Sequence, residues 1–165
     1  MTAFYKLAPA VALLALSLLA GCGSAAPATP TPVPTATLVP TPEPTIDPVV
    51  FERGKEVYQR AGCTACHTVK GVGTQGEVAT DLTSFGTVAL ERIASDDYKT
   101  NLKEQPPATT AAEYIEQSIV YPDSYTYPKC PTGPCAKGTM PTNFQQVIRD
   151  PGDLKALIAY LSALK

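Results

Sequence analysis

The residues of this chain best suited to chemistry are Cys63-Thr64-Ala65-Cys66-His67, two cysteines separated by two residues with a histidine directly after the second. Three chemistries use that spacing. The thiols could act as a redox pair, they could clamp a metal together with further soft ligands, or they could form thioethers to two vinyl groups on one edge of a haem while His67 binds the iron. The remaining ligand inventory is short. His67 is the single histidine of the 165 residues, Met140 is the one methionine besides Met1, and Cys22, Cys130 and Cys135 complete the five cysteines.

A redox pair belongs between a strand and a helix, whereas the residues ahead of Cys63 read as helix with no alternating strands. A four-cysteine zinc site from Cys63, Cys66, Cys130 and Cys135 leaves His67 and Met140 idle, and it puts zinc thiolates in the oxidising compartment that the N-terminus implies. One covalent haem c uses the whole set. Cys63 and Cys66 are the anchors, His67 is the proximal metal ligand, and Met140, in Gly138-Thr139-Met140-Pro141, is the opposite axial ligand. The glycine allows close backbone approach, and a thioether raises the iron's potential relative to two imidazoles. Cys130 and Cys135, with Pro131, Gly133 and Pro134 between them, suit a disulfide that shapes the loop ahead of Met140; two free thiols are the alternative.

Residues 1–21 pair an early charge, Lys6, with an apolar run from Leu7 to Ala20 that is too short for a dedicated bilayer span. This reads as an export signal. It ends in Leu19-Ala20-Gly21-Cys22, which resembles the lipobox at which bacteria attach lipid to a cysteine and cut just before it; an uncleaved signal anchor is the alternative. Lipid on Cys22 would hold the chain to a bacterial cell membrane, facing the periplasm or exterior. Residues 22–47 are Pro/Thr-rich and carry almost no large apolar side chain, so they read as a tether, reaching on the order of 80 Å if stretched as polyproline II. A net charge of −2, from 13 basic and 15 acidic residues, is too weak and too mixed to argue for nucleic acid, and no nucleic-acid partner is expected.

Residues 48–165 must supply the elements that position the motif. Asp47-Pro48 is a helix start and Gly62 a stop; Thr110-Ala111-Ala112-Glu113 fits a capping box, with Tyr121-Pro122 ending that helix; Asp150-Pro151 opens a last helix carrying Leu154, Leu157, Ile158, Leu161 and Leu164 at helical spacing. A short helix between Gly86 and Lys103 is a further expectation. The fold class is therefore all-α, three to four helices with long loops. Loops that long need something else at the centre of the domain.

With these residues placed, the region from Val49 to Lys165 resembles class I cytochrome c, with the haem motif early and the methionine late. The resemblance implies a close crossing of the terminal helices at Gly54, with Tyr58 and Tyr160 packed beside it. Ala79-Thr80-Asp81-Leu82 stands where the family usually has Gly-Pro-Asn-Leu. The resemblance thus assigns the Thr80 carbonyl to the proximal imidazole, in place of a proline carbonyl, and Leu82 to the haem face. YIEQSIVYPDSY followed by GTMPTNF is similar to cytochrome c domains of respiratory membrane complexes, including those fused to oxidase subunits.

The implied activity is single-electron transfer by a carrier rather than an enzyme, with a membrane electron-transfer complex and other cytochromes or cupredoxins as partners. The layout of lipid anchor, stalk and one haem also resembles the mono-haem subunit of bacterial alternative complex III. A tethered shuttle to a terminal oxidase or reaction centre is the alternative, and a haem peroxidase or gas sensor would need an open iron position. Thr64, Ala65, Val69, Tyr121, Tyr125 and Tyr127 are candidates for a docking face, against the plainer reading of loop packing. The role of residues 87–107 stays open between partner surface and longer loop.

Overall fold

Asp47 starts the first helix with its side chain: Oδ1 accepts from the Val49 amide at 2.8 Å, and Pro48 fills the first turn, where no amide is needed. Helix α1 (Pro48–Arg60) then runs to Gly62, whose φ of 79° turns the chain into a single 3-10 turn, Cys63–Ala65. The computed structural model describes residues 45–73 and 78–165; the expected leader at 1–21, the expected lipid site Cys22 and most of the expected tether at 22–47 lie outside the described residues. Among the described residues no strand forms, and two isolated bridges, Val69 with Gly73 and Cys130 with Gly133, pin turns.

Five more helices follow: α2 (Phe85–Ala94), α3 (Asp96–Asn101), α4 (Ala111–Val120), α5 (Phe144–Val147) and α6 (Pro151–Ala163). Four of the six are ten residues or longer, and α3 and α5 are short. The capping box of α4 is complete, with Thr110 Oγ1 accepting from the Glu113 amide and Glu113 accepting from the Thr110 amide. The architecture is all-α, as the hydrophobic spacing and cap residues imply.

Between Gly86 and Lys103 the chain makes two helices rather than one. Ser95 is extended (ψ 145°), and its hydroxyl donates to the Arg92 carbonyl while accepting from the Tyr98 amide, closing α2 and opening α3. Tyr98, fully buried, anchors this stretch: its hydroxyl donates to Gln117 of α4 and accepts from the Ala108 amide. Residues 87–107 thus hold a packed helical pair around a tyrosine, not a simple loop.

Helices α1 and α6 make the most extensive packing in the domain. Gly54 permits it, because a methyl there would overlap the Ala156 carbonyl oxygen and approach Tyr160 Cβ to 2.5 Å. Phe51 meets Tyr160 edge-on at 5.0 Å, and Tyr58 lies 6.0 Å from the same ring. A second close approach was not foreseen: Gly86 of α2 sits against the Ser162 carbonyl, and its amide donates to the Leu164 carbonyl at 2.8 Å.

At the solvent edge of the α1–α6 crossing, Arg53 bridges Asp150 and Asp153 at 2.7 Å each, and Arg60 also binds Asp153. The Arg53 hydrogen bond is the main influence holding the Asp153 carboxyl below its usual value, with Arg60 adding to it. A depressed folded-state pKa means that this contribution to stability is present above the unfolded value of about 3.9 and is lost as pH falls through the lower folded value. The expected result for Asp153→Asn is a small fall in Tm at pH 7, and a gap from wild type that begins to narrow as pH falls below about 4. Thermal unfolding from pH 3 to 8 checks it, and a gap as large at pH 3 as at pH 7 contradicts it. Among the described residues no helix is long and apolar enough to cross a membrane.

Candidate haem site

The 3-10 turn after α1 places Cys63 and Cys66 as free thiols on the wall of a cleft of about 450 Å³, a size suited to a cofactor. The motif's backbone is tied from both sides. The Tyr58 hydroxyl donates to the His67 carbonyl at 2.9 Å, the Ala79 amide to the Cys66 carbonyl at 3.1 Å, and the Leu82 amide to the Thr68 carbonyl at 2.8 Å. These bonds orient the histidine.

His67 Nδ1 lies 2.8 Å from the Thr80 carbonyl oxygen. A carbonyl can only accept, so Nδ1 carries the proton and Nε2 keeps its lone pair. Burial, chiefly, holds the imidazole below its usual pKa, against the upward pull of the Thr80 carbonyl and with a further downward push from Arg92. The result is a neutral ring in the tautomer that binds a metal through Nε2, steadied by its outer hydrogen bond. A threonine carbonyl therefore stands where the resemblance expected a proline carbonyl. Leu82, 5% exposed, lines the cleft two residues on.

Met140 lines the same cleft, partly buried against the core, at the end of a constrained loop. Cys130 and Cys135 are joined by a disulfide, the Cys130 amide donates to the Gly133 carbonyl at 2.7 Å, and Gly138, at φ 74°, donates its amide to Asp123 Oδ1 at 2.9 Å. Each of these restraints has at least one end within ten residues of the methionine, so its thioether is presented by a shaped loop rather than a free one.

The geometry separates the three chemistries. Burial pushes the Cys63 thiol up to about 11, the opposite of the values of about 3.5–7.5 that mark reactive redox thiols. With Cys130 and Cys135 bonded to each other, the four-cysteine zinc set is not assembled, and no cluster of three or more His, Cys, Asp or Glu suited to a metal ion occurs among the described residues. A haem fits what is present: an apolar cleft lined by Leu82, Phe85, Ile119, Leu157 and Leu161, two thiols for two vinyl groups, a neutral imidazole and a thioether.

Of the candidate docking residues, Val69 is buried, Tyr125 packs against Tyr98 and Tyr114, and Tyr127 lies under Arg92. These three are packing residues; Tyr121 and Ala65 are exposed. Sequence reasoning passed over Arg92, which lines the cleft and is buried. The signal was available, since Phe85, Ala89 and Arg92 fall at i, i+4 and i+7 on one helical face.

Comparison with known proteins agrees with this geometry. Residues 51–165 match the cytochrome c family model. A stretch of 65 residues is 37% identical to the cbb3-type cytochrome c oxidase subunit CcoP of Helicobacter pylori, covering 38% of this chain and 22% of that protein; CcoP of strain 52 matches to the same extent. The chain thus spans less than a quarter of the length of these curated relatives. Because the family match covers the described domain from the first helix to the last residue, cleft and motif included, the chain belongs to the cytochrome c family.

Proposed function

We infer that this chain is a single-haem electron carrier, lipid-anchored through Cys22 on the outer side of a bacterial cell membrane and working within a respiratory assembly. The observation that carries the reading is His67, its Nδ1 bonded to the Thr80 carbonyl, beside two thiols on an apolar cleft that Met140 also lines. One histidine in the chain supports one haem. When bound, haem supplies a one-electron ferric–ferrous couple. Cys63 and Cys66 would hold the group covalently and His67 and Met140 would be its two axial ligands, which would leave no iron position open to a substrate. The apolar walls exclude water and, with the thioether, favour a raised potential.

The expected layout of signal, stalk and domain resembles that of a mono-haem subunit of a quinol-oxidising assembly such as alternative complex III. The CcoP likeness favours a second reading, delivery of electrons to a terminal oxidase. In both, the tether keeps the domain at high local concentration beside its partner.

Two gels test this. On a denaturing gel the wild-type band stains for haem, and the Cys63→Ser, Cys66→Ser double variant loses the stain. A native gel of gently solubilised membranes, with neighbouring chains identified by mass spectrometry, then separates the assemblies. Quinol-oxidising or oxidase subunits in the band name the complex, migration alone with haem retained makes the chain a tethered shuttle, and an unstained wild-type chain sinks the haem reading.

A further inference from the structure

We propose that Asp123 is the positioning residue that keeps the Met140 sulfur on the haem iron, by latching the methionine's loop to the body of the domain; this rests on the haem reading above. From Pro128 to Thr142 no residue is buried, and Met140 is the one hydrophobic side chain of that stretch packed on the core. The bonds of the stretch run almost wholly within it. Cys130 and Gly133 exchange backbone hydrogen bonds, the Thr139 amide donates to the Ala136 carbonyl, and the Cys130–Cys135 disulfide is internal as well. Among the described residues, the one hydrogen bond that ties the stretch to anything outside it runs from the Gly138 amide to Asp123 Oδ1, at 2.9 Å. It attaches two residues before Met140.

The latch is mounted on a fixed base. Asp123 lies in the turn after α4, where the Ser124 amide and hydroxyl both donate to the Tyr121 carbonyl and the Lys103 amide donates to the Ser124 carbonyl at 2.9 Å. A turn aspartate ordinarily accepts from its own backbone two residues on, as Asp81 does from the Thr83 amide. Asp123 instead reaches an amide 15 residues ahead, and none of the ion pairs of the described residues includes it. An ionised carboxylate is a strong acceptor for that amide, and Gly138, at φ 74°, takes a left-handed conformation that a side chain would strain. The disulfide, at a sequence separation of 5, stiffens the first part of the loop. A stiff loop held outside itself by one hydrogen bond and one packed side chain lets the sulfur go when that bond is lost.

The test titrates ferric holoprotein with imidazole at about pH 8, for wild type, Asp123→Ala, Asp123→Asn and Asp47→Ala. Imidazole reaches the iron only when Met140 leaves, so its apparent affinity reads the population with the sulfur off. Asp123→Ala is expected to bind imidazole about tenfold more tightly than wild type, the size of effect that loss of a hydrogen bond to a charged group carries. Asp123→Asn removes the charge but keeps an oxygen acceptor, and it is expected within about threefold of wild type. Asp47→Ala removes a bond of the same kind, an exposed carboxylate accepting one amide at 2.8 Å, but at the α1 cap. It should lower Tm and leave the imidazole affinity within about twofold of wild type. An unchanged Asp123→Ala overturns the proposal, as does an Asp123→Asn shifted equally, which marks a charge effect, or an Asp47→Ala shifted equally, which marks general loosening. Should Asp123→Ala fail to fold, amide exchange in the wild-type holoprotein decides. A Gly138 amide at least about tenfold slower than the exposed, unbonded Lys137 amide supports the latch, and equal rates refute it. Wild type without covalent haem would bring down the underlying reading and the latch with it, whereas any of the other failures leaves that reading standing.

Discussion

Met140→Ala is expected to turn a closed carrier into a protein that binds carbon monoxide in the reduced state, where wild type does not. Met140 is the one methionine besides Met1, it lines the cleft with Cys63, Cys66 and His67, and its loop is held by the Cys130–Cys135 disulfide and the Gly138–Asp123 bond. Alanine keeps that backbone but removes the sulfur, leaving a small apolar gap. The potential should also fall, by about 0.2 V within the ~0.8 V span that axial ligands command, because a thioether favours ferrous iron and water or nothing does not. Optical spectra of the reduced variant with and without carbon monoxide, together with a redox titration, check both effects. An unchanged low-spin spectrum without carbon monoxide binding would show that another group is the ligand.

Gly54→Ala is expected to destabilise the domain by about 2 kcal/mol, which inverts the usual effect of that substitution in a helix. Helix propensity alone favours alanine over glycine by about 1 kcal/mol. Against it, the new methyl meets the Ala156 carbonyl and Tyr160 Cβ, backbone and backbone-proximal atoms that cannot swing aside, so α1 and α6 must separate. Overpacking of this kind costs about 1–3 kcal/mol, and separation also loosens Phe51, Tyr58 and Tyr160, so the upper end applies. Set against a total stability of about 5–15 kcal/mol, the net loss is readily measured as a Tm drop of several degrees in the holoprotein. A variant at least as stable as wild type would mean that the α1–α6 crossing has room for a methyl at this position.

The motif, the caps and the helix ends were legible because each depends on residues within a few positions of one another. Asp47 caps with an amide two residues on, Thr110 and Glu113 close their box across three residues, and Cys63, Cys66 and His67 occupy adjacent turns. Such features survive in the order of residues because the backbone geometry of one turn is enough to specify them. The short helices α3 and α5 were not legible in the same way, since Ser95 reads as an ordinary polar residue until its hydroxyl is seen bonded to both Arg92 and Tyr98.

By itself, then, the sequence determined the all-α class, the positions of the longer helices, and a Cys-x-x-Cys-His set with one methionine to face it. Only the tertiary structure decided which carbonyl steadies His67, since Thr80 lies 13 residues away across a loop. It also decided that Tyr125 and Tyr127 are packing residues, that Gly86 is a second point of close approach, and that a charged residue of α2 is buried at the cleft. The physical reason is the same in each case: burial and long-range hydrogen bonds depend on which surfaces the chain folds together, and helical periodicity says which residues share a face but not what covers it.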